Sequence, residues 1–320
     1  MLENKPVNFV TGCAGFLGSH LVEALNARGD LVVGYDNLNR GMTSIKNLSE
    51  IKDINFEFIA GDILNFERLR DVVSVTAPER IYHMAALPSH RLALENPYEF
   101  IKIDVQGTAN VLEAARLCKY KPLVIFASSN KVYGKQECPW REDKLPQPEG
   151  PYAVAKYSGE LLCEMYSKYF GVPTLVLRYH HVAGSRSNPD LALAVFVEQA
   201  LKDKNLQVHG RKSGKGFESC SANYTHVNDA IRATIVASDN YSGFDTFNIA
   251  NSTTVTVESM ARWVIQRLGS SSQIDLVDML PHETLVHASD VSKMKDRYQF
   301  ETKCKAEDAY SDYVEWRLHQ

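Results

Sequence analysis

Tyr152 and Lys156, four residues apart in Pro151-Tyr152-Ala153-Val154-Ala155-Lys156, are the side chains in this sequence best spaced for chemistry. Pro151 suits the first turn of a helix, where a missing N–H costs nothing. Residues at i and i+4 then share one helix face. A tyrosine phenol ordinarily titrates at about 10, too high for a base at neutral pH. An ammonium one turn away stabilises the phenolate and lowers that value. The pair so formed is a general acid/base. The bland alternative is a surface Tyr and Lys on an amphipathic helix. What separates the two is whether the chain upstream supplies a cofactor site and a polar partner.

It supplies both. Val7–Thr11 is a short apolar run, as expected of a buried parallel strand. Gly12-Cys13-Ala14-Gly15-Phe16-Leu17-Gly18 follows and opens the helical pattern Leu17, Leu21, Val22, Leu25. Glycines spaced G-x-x-G-x-x-G between strand and helix let backbone approach a pyrophosphate at the helix N-terminus. A glycine-rich connection in any α/β protein is the alternative. The second strand, Leu31–Tyr35, ends in Asp36, a carboxylate placed to accept from adenosine ribose hydroxyls. Its charge repels a 2′-phosphate and so favours NAD over NADP, a preference that nearby Arg40 blurs. Asn55–Ala60 leads into Gly61-Asp62-Ile63, where Asp62 either accepts from an adenine amino group or caps a helix. Arg80–His83 runs into Met84-Ala85-Ala86, small residues that leave room for a flat ligand.

Tyr98–Cys118 reads as one long helix and Leu123–Ala127 as a fifth strand, followed by Ser128-Ser129-Asn130-Lys131-Val132-Tyr133-Gly134. Ser129 is the polar partner that Tyr152 needs, although serines after strands also serve as plain turn residues. The Tyr152 helix runs to about Phe170, and Pro173–Arg178 is a sixth strand. Strands alternating with helices predict a Rossmann-type, doubly wound parallel sheet. Beyond it the expected elements are a helix at Leu191–Leu201, a flexible basic loop at Lys212–Gly216, a helix from near Asn228, a further sheet strand at Phe244–Ala250 and a last helix around Ala306–Arg317. We therefore expect an NAD-binding domain over 1–178, which also receives the strand near 244–250. A smaller, discontinuous α/β substrate domain occupies most of 179–320.

The whole-chain properties bound the function. The chain has 320 residues, 44% hydrophobic and 23% charged, with a formal net charge of −4 that offers nothing to nucleic acid. No apolar run reaches the length of a membrane span. The N-terminus enters a strand almost at once, leaving no room for a signal peptide. Six scattered cysteines without a C-x-x-C pair argue against a zinc or disulfide framework and suit a reducing cytoplasm.

Taken together, Thr11–Gly18, Asp36-Asn37-Leu38, Gly61-Asp62, His83–Ala86, Ser128–Gly134, Tyr152–Lys156 and Arg178–Gly184 resemble the extended short-chain dehydrogenase/reductase family. The branch they resemble is that of nucleotide-sugar epimerases and dehydratases, UDP-glucose 4-epimerase among them, and the resemblance spans nearly the whole chain. It implies NAD as cofactor, held by Gly12, Gly15, Phe16, Leu17, Gly18, Asp36, Asn37, Asp62, Ile63, Ala85, Ala86, Tyr152 and Lys156. It implies that Tyr152 moves the proton, that Lys156 bonds the nicotinamide ribose and lowers the tyrosine pKa, and that Ser129 steadies the same hydroxyl. Ser129, Asn130, His180 and His181 are the expected substrate contacts, and no metal is expected. A homodimer through Tyr98–Cys118 and Ala153–Phe170 is also implied, unless those apolar faces only pack on the sheet.

Departures from the family pattern narrow the reaction. Well-known hexose 4,6-dehydratases carry Asp-Glu after the serine, where this chain has Asn130-Lys131, and asparagine cannot do carboxylate chemistry. The run Ser-Asn-Lys-Val-Tyr-Gly is similar to that of CDP-tyvelose 2-epimerases. Asp104 stands where an asparagine is usual, and His181 where the substrate-binding asparagine is usual. Ala222 replaces one diphosphate-gripping arginine, and a second is missing around Pro281-His282-Glu283. Arg186, Arg211, Lys212 and Lys215 are candidate substitutes. The leading expectation is an NAD-dependent nucleotide-sugar epimerase that removes a hydride and returns it. A dehydratase or net dehydrogenase/reductase is the second, and a non-catalytic NAD-binding regulator the third.

Overall fold

The structure, a computed structural model, describes residues 5–39, 41–49, 51, 54–214, 216–241, 243–279 and 284–320. Arg40, Lys215 and Pro281-His282-Glu283 lie outside the described residues. In chain order the first elements are β1 (Val7–Thr11), α1 (Phe16–Ala27), β2 (Leu31–Asp36), α2 (Met42–Ser49), β3 (Phe56–Ala60), α3 (Phe66–Thr76) and β4 (Arg80–His83). Next come α4 (His90–Glu95), α5 (Pro97–Phe100), α6 (Gly107–Leu117), β5 (Leu123–Ser129), α7 (Gly150–Phe170) and β6 (Thr174–Tyr179). The later elements are β7 (Val182–Ala183), α8 (Ala192–Ala200), β8 (Leu206–Ser213), β9 (Gly216–Ser219), β10 (Ser221–Ala222), β11 (Thr225–His226), α9 (Val227–Asp239) and β12 (Phe244–Ile249). The chain ends with β13 (Val255–Thr256), α10 (Val257–Leu268), β14 (Ile274–Asp278), β15 (Val286–His287), α11 (Ser292–Tyr298) and α12 (Ala306–Leu318).

A seven-stranded sheet runs in the order β12-β6-β5-β4-β1-β2-β3, giving the Rossmann-type α/β fold. The registers Thr11↔Tyr35, Thr11↔His83, Asp36↔Ala60 and His83↔Phe126 are all parallel and bring the strands' carboxyl ends to one edge. The chain reverses its direction of travel across the sheet between β1 and β4, the place where such sheets take ligands. Strand residues Phe9, Tyr35, Ile81, Val124 and Phe126 pack with Val111 and Leu112 of α6 into one apolar core. Burial of that kind is the main stabilising term for a parallel sheet covered on its faces.

The chain divides into two compact units, 1–134 with 148–178 and 231–247, and 135–147 with 179–230 and 248–320. The second unit has its own core, built from Leu193, Phe196, Val197, Leu206, Val208, Met260, Val264 and Tyr310. Residues 135–147, expected within the first domain, belong to the second unit. Trp140 explains this: its side chain is buried, its backbone N–H donates to the Ala288 carbonyl at 2.8 Å, and its backbone carbonyl accepts from the Asp290 N–H at 2.9 Å. The segment 231–243 likewise belongs to the first unit, where Tyr82 and Ser238 hydroxyls bond at 2.8 Å.

Two other expectations change. The helical run over Tyr98–Cys118 is not uniform, because a π-helical turn at Ile101–Gln106 joins α5 to α6. Lys212 lies within strand β8, paired with Phe217 of β9, so the expected flexible loop is a hairpin arm.

Candidate active site

The glycine turn is shaped by two tight approaches. Gly12 has φ +69°, and a Cβ there would lie 2.6 Å from the Ala85 backbone nitrogen. A Cβ on Gly18 would lie 2.0 Å from the Gly12 carbonyl oxygen. Helix α1 starts after Gly15 with no side-chain cap and no acidic residue in its first turn. Its first N–H groups are therefore left for an anion, which the helix dipole favours.

At the end of β2, Asp36 accepts from the Ala14 N–H at 3.1 Å and, through its other oxygen, from the Leu38 N–H at 2.8 Å. The carboxylate is thus held rigidly beside the turn. Asn37 donates to Asp62 at 2.9 Å, which also accepts from the Leu64 N–H at 2.8 Å. Asp62 therefore caps a turn and not a helix. Asn65 is the residue that caps α3, accepting from the Arg68 N–H. The Ile63 carbonyl accepts from Asn110 at 2.9 Å, and the Ala85 N–H donates to the Thr11 hydroxyl at 3.3 Å. An uncapped helix start, a cradle that a Cβ would fill and a fixed carboxylate fit a dinucleotide.

Ser129, Tyr152 and Lys156 converge. Ser129 ends β5 and caps the 3-10 turn Asn130–Tyr133, accepting from the Lys131 N–H at 3.3 Å. Its hydroxyl is near enough to the Tyr152 phenol to favour the ionised form. Burial pushes that phenol up to about 12, the Ser129 hydroxyl opposes the rise and the Asp104 carboxylate adds to it. The sequence argument expected the reverse, a value lowered by Lys156. The Lys156 ammonium lies 5.9 Å from the Tyr152 ring centre and 5.4 Å from that of Phe126, and its near partner is Asp104 at 3.8 Å. Burial pulls Lys156 down and Asp104 partly restores it. The Phe100 ring packs edge-on against Tyr152, with centroids 6.3 Å apart. Asn130 is 3% exposed; its carbonyl oxygen accepts from Ser129, and its amide nitrogen has no hydrogen-bond partner.

Sequence reasoning noted Asp104 only as a departure and missed its neighbours. His83 of β4 is fully buried between the Thr11 hydroxyl at 2.8 Å and the Thr108 hydroxyl at 3.0 Å. Thr108 in turn donates to the Asp104 carbonyl at 2.5 Å. Burial first, then the Lys156 charge, pushes His83 down to about 3, so it is neutral. A histidine at a strand's carboxyl end was the available signal.

In the second unit the two adjacent histidines part company. His180 is 0% exposed, bonded to Ser289 at 2.7 Å and to Asn248 at 3.3 Å, which places it in the core. His181 has φ +37° and a half-buried ring bonded to His287 at 2.9 Å, beside Tyr224. Ala222 is buried in β10. Of the proposed substitutes for the missing arginines, Arg211 is exposed and paired with Glu218 at 3.1 Å across the β8–β9 hairpin. Lys212 is exposed on the same strand.

The GDP-mannose 4,6 dehydratase family matches residues 9–312. The chain belongs to the NAD-dependent short-chain dehydrogenase/reductase family of nucleotide-sugar epimerases and dehydratases. Within that family it is 29% identical to the UDP-glucuronate 4-epimerase of Thermodesulfobacterium geofontis, over 96% of this chain and 94% of the relative. It is 31% identical to the UDP-N-acetyl-alpha-D-glucosaminuronate decarboxylase of Bacillus cytotoxicus, over 96% of each. The crystal structure of UDP-glucuronic acid 4-epimerase from Bacillus cereus, in complex with UDP-glucuronic acid and NAD, superposes with a TM-score of 0.88 at 28% identity, covering 98% of this chain and 99% of that one. Family membership makes this chain one of the NAD-dependent sugar-modifying enzymes.

Proposed function

We propose that this enzyme is an NAD-dependent nucleotide-sugar epimerase, with a UDP-hexose or UDP-hexuronate as substrate. The observation that carries the reading is a half-buried Tyr152, influenced by Ser129 at the end of β5 and set one helical turn from a buried Lys156. The cradle made by Gly12, Gly15, Phe16, Leu17 and Gly18 takes the pyrophosphate, with Asp36, Asn37, Asp62 and Ile63 toward the adenosine and Ala85 and Ala86 beside the dinucleotide. Bound NAD supplies a hydride acceptor that can give the hydride back. Ser129 holds the reacting sugar hydroxyl against Tyr152, which takes its proton and later returns it. Lys156 bonds the nicotinamide ribose and supplies the positive charge that favours the phenolate. The unpartnered Asn130 amide becomes a donor to substrate, which removes the cost of burying it unsatisfied. His181, held by His287, is also proposed as a substrate contact.

Asn130, in place of the first carboxylate of the Asp-Glu pair, supports epimerisation over elimination of water; Lys131 does not discriminate, since some dehydratases carry a lysine there. The test is to incubate the purified protein and NAD with a panel of UDP- and CDP-sugars, following proton NMR and mass together. Unchanged mass with an inverted centre is expected. Loss of water, loss of carbon dioxide or net NADH formation would replace the reading with dehydratase, decarboxylase or dehydrogenase.

Assembly and location belong to the same proposal. Leu94, Tyr98, Ile101, Val154 and Leu161 are exposed apolar side chains on α4, α5, the π-helical turn and α7 of the first unit. A symmetric homodimer through these helices would cover them. A monomer by light scattering at micromolar concentration would contradict it. No described helix is long and apolar enough to cross a membrane, and all six cysteines are free thiols, which supports a cytoplasmic site of action.

A further inference from the structure

The π-helical turn carries one side chain that the proposed chemistry has not used. Asp104 is 2% exposed and Lys156 4%. One Asp104 oxygen accepts from the Leu87 N–H at 2.9 Å. The other has no hydrogen-bond partner and lies 3.8 Å from the Lys156 ammonium, beyond hydrogen-bond length but well within an ion pair. A π-helical turn is an uncommon local conformation, and it recurs at functional sites. The turn is anchored by the Thr108 hydroxyl on the Asp104 carbonyl, through Thr108 to His83 and through His83 to Thr11.

We propose that Asp104 is a positioning residue: its carboxylate is the dedicated counter-ion that holds Lys156 in place and in its charged form. This rests on the reading of Lys156 given above for its consequence, but the pairing itself does not. The titratable groups facing Lys156 are Asp104 from the π-helical turn, Tyr152 from its own helix and His83 from β4, with the Phe126 ring on the sheet side. Tyr152 is a neutral phenol and His83 a neutral imidazole. Asp104 is therefore the one acid among them; burial raises its pKa, and the Lys156 charge and the Leu87 N–H oppose that rise in favour of the carboxylate. Burial of an ammonium among neutral groups drives it towards the uncharged amine. The Asp104 carboxylate opposes that: burial holds the Lys156 ammonium below its ordinary value, and the Asp104 charge pulls it part of the way back. An asparagine at 104 would keep the Leu87 bond and lose the charge.

The sign of the effect follows. A carboxylate beside an ammonium raises the ammonium pKa, so Asp104→Asn must let Lys156 lose its proton at lower pH. Any property that needs charged Lys156 should then fail earlier as the solution is made alkaline.

Two measurements test this. The first is a double-substitution cycle read by thermal melting at neutral pH, which needs neither cofactor nor sugar. Asp104→Asn should lower the melting temperature of the wild-type chain, because it strands a buried ammonium. In a Lys156→Met chain the same substitution should leave the melting temperature unchanged or raise it, since it removes a buried carboxylate that has lost its partner. Equal lowering in both backgrounds would overturn the proposal. The second is calorimetric titration with NAD from neutral to alkaline pH. The Asp104→Asn protein should reach a tenfold loss of NAD affinity at least about one pH unit below wild type. Parallel curves would overturn the proposal. Should neither protein bind NAD, the functional reading fails while the melting cycle still decides the pairing. Should Asp104→Asn fail to fold alone, recovery of folding in the Asp104→Asn, Lys156→Met pair supports it and continued failure contradicts it.

Discussion

The two units of this chain use their polar groups differently. In the first, the polar residues at the strand ends are held by backbone: Asp36 by Ala14 and Leu38 N–H groups, Asp104 by Leu87 N–H, Ser129 by Lys131 N–H. In the second, the candidate contact is held by another side chain, His181 by His287. Glycine geometry and backbone bonds suffice to define a dinucleotide cradle. A sugar nucleotide varies, and side chains at the ends of short strands can change without disturbing a sheet. On the proposed reading, cofactor and proton chemistry belong to the first unit and substrate choice to the second.

The largest effect should come from the first unit. Tyr152→Phe is expected to cut kcat by about 10²–10⁴-fold, the usual contribution of a positioned general acid/base. NAD affinity by calorimetry should stay within a few fold of wild type. A variant that turns over normally would remove the catalytic role from the first unit and break the comparison.

Stability separates from chemistry at the buried Arg178–Glu160 pair. Arg178 donates to both Glu160 oxygens, at 2.9 and 2.7 Å, and its guanidinium lies 4.7 Å from the Tyr133 ring centre. Burial disfavours a charged Arg178, and the Glu160 bonds more than offset this, so its pKa stands above the ordinary value. Glu160→Gln leaves a buried cation unpaired and should cost about 3–5 kcal/mol in a denaturant melt. Little or no loss would mean that the pair is not part of what fixes the first unit.

His181→Ala should weaken kcat/KM by about 1–3 kcal/mol, the range for a hydrogen bond to a charged group, with NAD affinity unchanged. Loss of NAD binding and fold together would make His181 structural and erase the division of labour. The smallest effect is expected at Asp36. Asp36→Asn removes the charge that repels a 2′-phosphate and should narrow the NAD preference over NADP by about tenfold, or about 1.4 kcal/mol. Equal affinities already in wild type would show that Asp36 does not set the preference.

Much of the first unit was legible because its elements carry local signals. The strand–glycine–helix order, the acid after β2 and the spacing of Tyr152 and Lys156 each follow from steric or periodic rules. What escaped depended on contacts distant in sequence. Nothing near residue 140 says that Trp140 will bury its ring against His180 and His287, which are 40 and more residues away. Tyr98–Cys118 has helical periodicity throughout, and a π-helical turn adds no residue type that would betray it. The lowered Tyr152 pKa was an inference from spacing alone. It missed that Lys156 already has Asp104 as partner and that burial acts on the phenol first. His180 and His181 look alike in sequence, and only the bonds to Ser289 and Asn248 make the first a core residue.

The central claim is that one hydrogen leaves a sugar carbon and returns to it while Tyr152 handles the proton. Its most direct test is UDP-glucuronate carrying deuterium at the carbon to be inverted, incubated with the enzyme and NAD in ordinary water. The account predicts a product of unchanged mass, inverted at that carbon and still deuterated there, and no such product from Tyr152→Phe. Inversion with solvent hydrogen at that carbon, or a product lighter by water or carbon dioxide, would contradict it.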